Sequence, residues 1–268
     1  MNSQFIELQG SRFHYNQFGA GPDWVFCFHG YGESGEHFLL FEPFLGKDYT
    51  FIAIDIPFHG QTAWTGPLLF EPSLLIKLID MIIGNHQARF HFFAYSMGGR
   101  IALRLFELMP NRIQSMVLVA PDGLHQNKWQ WFTTKTQLGN SLFKYTMQNP
   151  GWLFQLIHVC NRLKLLNPSI SKFVHYYLDD PKERADLYKI WTTTRLFRPS
   201  VKRLKSLLRK HPVPMKLIFG KHDRIILTKR GTHFSKGSNN LVQVFELEAG
   251  HQLLQKKYAS IIAAYFKQ

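Results

Sequence analysis

The sequence predicts an α/β fold built on an eight-stranded, mostly parallel sheet. Apolar segments with strand character alternate with amphipathic helical segments, which is the pattern of a sheet with helices packed against it. The later strand segments are apolar throughout, as is typical of parallel strands that are covered on both faces. The length of 268 residues is enough for one such domain with an insertion.

The predicted strands and helices follow one another along most of the chain. The strands are Phe5–Leu8, Arg12–Asn16, Trp24–Phe28, Phe51–Asp55, Arg89–Ala94, Gln114–Ala120, Met215–Phe219 and Leu241–Leu247. The helices are Glu36–Phe44, Ser73–Gly84, Met97–Met109, Leu227–Phe234 and Gln252–Phe266. Pro110 and Pro121 mark the ends of elements, because proline cannot continue a helix.

The alternation stops at Asp122, and the chain is helical in character from there to about Ser200. We therefore predict a core of residues 1–121 and 201–268 and a separate helical region over residues 122–200. Aromatic side chains at helical spacing are more often packing than binding groups. The aromatic residues of the helical region are Trp129, Trp131, Phe132, Phe143, Tyr145, Trp152, Phe154, Tyr176, Tyr177 and Trp191.

Composition narrows the classes to which the protein can belong. An apolar content of 45% predicts a folded protein and not a disordered one. No apolar run reaches the roughly 18 residues that a membrane-spanning helix needs, and the first residues lack the features of a signal peptide. The two cysteines, Cys27 and Cys160, do not suggest a disulfide framework. We therefore expect a cytoplasmic protein without integral membrane association.

The net charge of +14 is concentrated in one part of the chain. Residues 161–236 contain 19 Lys and Arg but only 5 Asp and Glu, which accounts for the whole excess. A solvated basic face is the simplest interpretation, and attraction of anionic substrates or of an acidic membrane surface are the alternatives. No signature of a nucleic-acid-binding module is present, so no nucleic-acid partner is expected. Lys202–Lys210 has the spacing of a basic amphipathic helix.

One serine lies at a predicted sharp turn between a strand and a helix. The strand Arg89–Ala94 leads into Tyr95-Ser96-Met97-Gly98-Gly99, where a helix begins. This pattern approximates the G-x-S-x-G nucleophile elbow, with Ala94 in place of the first glycine. Small residues are needed there because strand and helix approach closely.

Two more residues follow later strands in the order that such a site requires. Asp223 follows the seventh predicted strand, and His251 follows the eighth, in Glu248-Ala249-Gly250-His251. Upstream, the third strand ends in His29-Gly30-Tyr31-Gly32. On these motifs the sequence resembles the α/β-hydrolase superfamily along nearly its whole length, interrupted by the helical region. That resemblance implies that residues 122–200 are a helical cap inserted after the sixth strand.

The resemblance also implies a role for each motif residue. Ser96 would be the nucleophile, His251 the base and Asp223 the acid that orients the base. The backbone N–H groups of Met97 and Tyr31 would form the oxyanion hole. The residues expected to support the motif are His29, Gly30 and Gly98, of which His29 would hold the oxyanion loop in shape.

Asp122 is an alternative acid, because some members of the superfamily carry their acid after the sixth strand. We favour Asp223, since Asp122-Gly123 is also a turn signal that explains Asp122 without chemistry. Asp55 resembles the family's acid after the fourth strand, and we expect it to fix loops.

The function implied is that of a serine hydrolase that acts without a cofactor, with hydrolysis of a carboxylic ester through an acyl-enzyme as the favoured activity. Hydrolysis of amides, peptides or C–C bonds is an alternative, and a non-catalytic member that binds a small molecule or a partner is another. No metal-ligand spacing, P-loop or dinucleotide fingerprint occurs, so neither metal nor cofactor is expected. The expected partner is a small carbonyl compound, with an anionic one among the options, and no oligomeric state is predicted.

Overall fold

Eight strands form one sheet in the computed structural model, which describes residues 2–125, 128–163, 178–238 and 240–267. The strands are Asn2–Leu8 (β1), Ser11–Phe18 (β2), Asp23–Phe28 (β3), Tyr49–Ile54 (β4), Phe90–Tyr95 (β5), Ile113–Val119 (β6), Met215–Gly220 (β7) and Val242–Leu247 (β8). Their order in the sheet is β1-β2-β4-β3-β5-β6-β7-β8. Only the β1–β2 and β2–β4 pairings are antiparallel. The predicted fold class is therefore confirmed.

The central strands are buried because both faces of the sheet are covered. In β3, every residue from Val25 to Phe28 is fully buried, and Cys27 is one of these core residues. Phenylalanines fill the space between neighbouring strands, as in the edge-to-face pair of Phe26 and Phe90 with ring centroids 4.9 Å apart. These continuous apolar runs are the pattern that predicted parallel strands.

The described α-helices agree with most of the predicted ones. They are Glu42–Leu45 (α1), Pro72–Ile83 (α2), Met97–Leu108 (α3), Lys128–Lys135 (α4), Gln137–Gln148 (α5), Gly151–Arg162 (α6), Pro181–Thr193 (α7), Val201–Lys210 (α8), Thr228–Ser235 (α9) and Lys256–Lys267 (α10). The prediction of a single helix over Glu36–Phe44 was wrong. A 3₁₀ helix covers Gly35–Phe41 and the short α1 follows it, because Pro43 lacks the N–H that a continuous helix needs.

The chain divides into two compact units. The first, which contains the sheet, comprises Met1–Gly66, Glu71–His125 and Phe197–Gln268. The second comprises Pro67–Phe70 and Gln126–Leu196 and contains α4 to α7. Within it, the Phe70 N–H donates to the Thr193 carbonyl across 2.8 Å, which ties its two segments together. That this unit serves as a cap stays a prediction. Of the aromatic residues named for the helical region, Tyr176 and Tyr177 lie outside the described residues.

The predicted basic amphipathic helix is present as α8 in the first unit. Its apolar residues Leu204 and Leu208 are buried, whereas Lys202, Arg203, Arg209 and Lys210 are exposed. Since its apolar side packs inward, α8 offers a basic surface without an apolar one. No helix in the described part of the chain combines the length and the apolar character needed to cross a membrane.

Candidate active site

Ser96 lies on a strained turn between β5 and α3. Its backbone angles, φ 49° and ψ −114°, are unfavourable for any residue with a side chain. The Ser96 N–H donates to the Val119 carbonyl across 3.0 Å, and the Ser96 carbonyl accepts from the N–H groups of Gly99 and Asp122, each across 2.9 Å. These bonds hold a conformation that costs on the order of 1–3 kcal/mol, and such strain is concentrated at functional sites.

Two glycines make this turn possible. A Cβ atom at Gly98 would lie 1.9 Å from the Phe28 carbonyl oxygen, and one at Gly99 would lie 2.5 Å from the Pro121 Cβ atom. Both positions are therefore closed to larger residues. Ala94 is fully buried, so the substitution of the first motif glycine is accommodated in the core.

Ser96, His251 and Asp223 form a continuous chain of hydrogen bonds. The Ser96 Oγ lies 3.0 Å from the His251 Nε2, and the His251 Nδ1 lies 2.7 Å from the Asp223 Oδ2. An ionised carboxylate only accepts, so Nδ1 carries the imidazole proton and Nε2 accepts from the serine hydroxyl. The structure thus brings together the three residues that the sequence singled out, with the imidazole in the tautomer that a base requires.

The loops after β7 and β8 hold Asp223 beside His251. A Cβ atom at Gly220 would lie 2.2 Å from the Gly250 carbonyl oxygen, so only glycine permits this approach. The Asp223 Oδ1 accepts from the N–H groups of Ile225 and Ile226 across 2.7 and 2.9 Å. Burial alone would raise the pKa of Asp223, but the hydrogen bonds and charge of its partners outweigh burial and lower it.

His29 and Gly30 lie in the loop that follows β3. The His29 Nδ1–H donates to the Gly30 carbonyl across 2.7 Å, and its Nε2 accepts from the Ile56 N–H across 3.1 Å. Burial lowers the pKa of His29 to about 4, so this imidazole is neutral at physiological pH. A Cβ atom at Gly30 would lie 3.0 Å from the Tyr95 ring. The loop therefore passes beside the residue that precedes Ser96.

The two expected oxyanion donors lie in these same segments. Met97 is the first residue of α3, so its N–H has no acceptor within the helix and lies at the positive end of the helix dipole. Tyr31 follows Gly30 in the turn, with its ring centroid 6.2 Å from that of His59. Their roles in catalysis remain predictions.

Two residues near the site carried no signal in the sequence. The Tyr95 hydroxyl donates to the His251 carbonyl across 3.0 Å, and the two rings lie 5.5 Å apart. The Glu33 Oε2 accepts from the Gly30 N–H across 3.3 Å, and burial raises the pKa of Glu33. Tyr95 occupies the variable position of the serine motif, where any residue type is permitted, so its contact with His251 could not be anticipated.

The alternative acid, Asp122, has partners of its own. Its Oδ1 accepts from the Gly123 N–H across 2.7 Å, and its Oδ2 lies 3.6 Å from the Nη1 of the buried Arg100. The His251 Nδ1 instead bonds to Asp223. The geometry therefore favours Asp223 as the acid partner of His251.

A second serine–histidine–aspartate chain of hydrogen bonds lies at the edge of the sheet. The Ser3 Oγ lies 2.8 Å from the His14 Nε2, and the His14 Nδ1 lies 2.7 Å from the Asp55 Oδ2. Asp55 also accepts from the N–H groups of Gly35 and Gln61, across 2.7 and 2.9 Å. Ser3 lies in the regular strand β1, without the positive φ of Ser96. We interpret this chain as a structural one that anchors the loop after β4.

The family follows from a match over most of the chain. Residues 23–226 match the family model described as the alpha/beta hydrolase fold. The chain belongs to the α/β-hydrolase fold family. The resemblance stated from the motifs is thereby confirmed.

Relatives and solved structures agree with this placement. An esterase from Thermogutta terrifontis superposes with a TM-score of 0.67 at 13% identity, covering 100% of this chain and 97% of that one. A monoacylglycerol lipase from Xenopus laevis is 22% identical over 242 residues, which is 87% of this chain and 71% of the lipase. The acetyltransferase component of the acetoin cleaving system of Cupriavidus necator is 32% identical over 122 residues, or 45% of this chain.

The chain is similar to only part of its first curated relatives. The matches span 32% of the Cupriavidus necator protein and 47% of a serine hydrolase-like protein from Danio rerio. Identity of function with either whole protein is therefore not implied. Among the described residues, no cluster of three or more His, Cys, Asp or Glu side chains could hold a metal ion.

Proposed function

We propose that the protein is a hydrolase that cleaves carboxylic esters through an acyl-enzyme, with Ser96 as nucleophile, His251 as general base and Asp223 as the group that orients His251. The observation that carries the proposal is the hydrogen-bonded chain from Ser96 through His251 to Asp223, combined with the strained turn at Ser96. A relay that activates a hydroxyl, on a turn that exposes it, has the two properties that nucleophilic catalysis by serine needs.

In the first step, the Ser96 Oγ attacks the ester carbonyl carbon while its proton passes to the His251 Nε2. The carbonyl oxygen becomes an oxyanion, which the backbone N–H groups of Met97 and Tyr31 would stabilise. Asp223 stays ionised and stabilises the imidazolium through its bond to Nδ1. The tetrahedral intermediate then breaks the bond to the alcohol oxygen, and Nε2 returns the proton to the departing alcohol.

In the second step, a water molecule takes the place of the alcohol. Its oxygen attacks the acyl carbon while one of its protons passes to the His251 Nε2. Collapse of the second tetrahedral intermediate breaks the bond to the Ser96 Oγ, which takes the proton back from Nε2. The carboxylic acid leaves, and the enzyme returns to its starting state.

Esters are favoured over the other substrates of this chemistry on the ground of similarity. The Xenopus relative is named as a lipase and the Thermogutta structure as an esterase. The same three side chains can also cleave amides and C–C bonds, because triad and fold do not select among them. We propose that the helical unit is the cap that shapes substrate choice. Both cysteines are free, which suits a reducing cytoplasm.

A matched pair of substrates tests this proposal. The wild-type enzyme is treated with a fluorophosphonate probe and assayed on p-nitrophenyl esters and p-nitroanilides of the same acyl groups. We expect labelling of Ser96, located by peptide mass spectrometry, and a kcat/KM for esters that exceeds that for anilides. Labelling without turnover of any ester, or faster turnover of the anilides, would reject ester hydrolysis while leaving Ser96 as the nucleophile.

The exposed basic residues of α8 support a preference for anionic substrates. Lys202, Arg203, Arg209 and Lys210 create a positive potential that attracts anions over distances of about 10 Å at 0.1 M salt. We expect kcat/KM for an ester with a free carboxylate to fall with rising ionic strength, whereas a neutral ester of equal length is unaffected. The same salt dependence for both esters would reject electrostatic steering.

A further inference from the structure

We propose that the helical unit docks on an anionic membrane surface through two exposed apolar stripes, one on α5 and one on α6. Docking of this kind does not depend on which bond the enzyme cleaves. Three features favour it: the exposure of these helices, the kinds of residue that they expose and the charge of the segment to which they belong.

The stripe on α5 consists of Leu138, Leu142 and Tyr145. Their spacing of four and three residues places them on one side of the helix, and 41 to 75% of each is exposed. The same helix buries Phe143 and Met147 on another side. Helix α5 therefore has two apolar sides, of which packing within the described chain uses one.

The stripe on α6 is longer and follows the same rule. Trp152, Leu156, Val159 and Leu163 recur at four-, three- and four-residue spacing, the last just beyond the helix end, with exposed fractions of 40 to 61%. At 1.5 Å per residue, this stripe extends over roughly 16 Å. A surface helix normally turns such a stripe inward and its polar residues outward. On α6 the apolar stripe is open to solvent, which marks an interaction surface.

The aromatic residues favour a lipid interface as the occupant. Tyr145 and Trp152 belong to the stripes, and the preceding helix α4 exposes Trp129 and Trp131. Tryptophan and tyrosine combine a large apolar ring with one polar group, so they prefer the boundary between lipid chains and water.

The charge of this segment selects an anionic lipid surface over a second copy of the chain. Residues 123–178 contain six Lys and Arg and not one Asp or Glu. Two copies meeting through this surface would bring like charges together, and nothing in the segment would compensate for them. Anionic headgroups supply the opposite charge, while basic side chains keep their charged ends in water as their stems follow the apolar surface.

Vesicle binding tests the proposal with the wild-type chain of 268 residues. Binding is measured by co-sedimentation with vesicles of phosphatidylcholine and of phosphatidylcholine mixed with phosphatidylserine. The test variants are Leu156→Gln and Trp152→Gln, which change the α6 stripe. The matched control is Ile261→Gln in α10, an apolar residue of similar exposure, 45%, in the first unit. Hydrolysis of a short water-soluble ester and the oligomeric state are measured for every variant.

We expect binding to the phosphatidylserine vesicles, weak binding to phosphatidylcholine alone, and a loss on the order of tenfold in each stripe variant. Ile261→Gln should bind as the wild type does, and all variants should hydrolyse the soluble ester at the same rate. Three outcomes would overturn the proposal. They are an absence of vesicle binding, binding that the stripe variants do not weaken, and a wild-type oligomer that the stripe variants dissociate.

Discussion

The hydroxyl of Tyr95 donates a hydrogen bond to the backbone carbonyl of His251 across 3.0 Å. The residue that precedes the candidate nucleophile thus contacts the loop that holds the candidate base. The tyrosine ring also lies 5.5 Å from the imidazole, tilted by 34°. The end of β5, which leads into Ser96, and the loop that carries His251 are therefore linked outside the Ser96–His251 hydrogen bond itself.

Tyr95→Phe tests whether this link positions the base. The ring stays, whereas the hydroxyl and its contacts with the His251 carbonyl and, across 3.4 Å, with the Gln252 Oε1 are lost, so we expect the free energy of unfolding to fall by about 1 kcal/mol. We expect kcat to fall on the order of tenfold with little change in KM, because His251 would lose a constraint on its position. Steady-state kinetics and urea unfolding measure the two effects.

The control for this substitution is Tyr15→Phe, since the buried Tyr15 donates to the Gln4 Oε1 across 2.6 Å within the β1–β2 pair. It should lower stability by a similar amount and leave kcat unchanged. If Tyr95→Phe retains full kcat, Tyr95 does not position the base.

A pair of substitutions separates the two candidate acids. Asp223→Asn should lower kcat on the order of 10⁴-fold, because an amide at this position stabilises the wrong tautomer of His251. Asp122→Asn still accepts from the Gly123 N–H but loses its charge beside Arg100, so we expect a stability loss on the order of 1 kcal/mol and nearly unchanged kcat. Circular dichroism would establish that both variants fold. A larger loss of kcat in folded Asp122→Asn would assign the acid to Asp122.

Two buried histidines make the protein sensitive to acid. Burial lowers the pKa of His29 to about 4 and, together with the neighbouring His29, that of His59 to about 3, both below the value of 6.5 expected in the unfolded chain. Below pH 6.5 the unfolded state binds protons that the folded state does not. The free energy of unfolding should therefore fall between pH 6.5 and pH 4, by on the order of 3 kcal/mol for each histidine.

His59→Asn isolates one of these contributions. The amide can replace the Nδ1–H that donates to the Pro57 carbonyl across 3.1 Å, but it cannot titrate. Urea unfolding of both proteins at several pH values should give a smaller loss of stability in the variant as the pH falls. If the free energy of unfolding falls by the same amount in variant and wild type as the pH is lowered, His59 does not contribute to the acid sensitivity.

Local constraints explain how much of this site the sequence predicts. The elbow is recognisable because Gly98 and Gly99 are each required by an atom less than 3 Å from the missing Cβ. The parallel strands are recognisable because burial on both faces demands a continuous apolar run, as in β3. Each of these constraints acts on a few neighbouring residues and therefore leaves a pattern in the sequence.

Contacts between distant parts of the chain leave no such pattern. Tyr95 and His251 are 156 positions apart, and no local sequence pattern around either residue predicts their hydrogen bond. The same holds for the chain from Ser3 through His14 to Asp55. The periodicity of α6 predicts an apolar side but not whether another element covers it. By contrast, Pro43 is a local signal that the helix cannot run unbroken, and the prediction of a single helix over Glu36–Phe44 did not take it into account.

The central claim is that Ser96 is a catalytic nucleophile because it combines a strained turn with the hydrogen-bonded chain through His251 to Asp223. Ser3 has a nearly identical relay but lies in a regular strand, so Ser3→Ala is a matched control for Ser96→Ala. The decisive measurement is kcat/KM of both variants on a p-nitrophenyl ester, with covalent labelling by a fluorophosphonate probe. Ser96→Ala should lose turnover on the order of 10⁴-fold or more and lose labelling, while Ser3→Ala keeps both. Full turnover and labelling in Ser96→Ala would contradict the account.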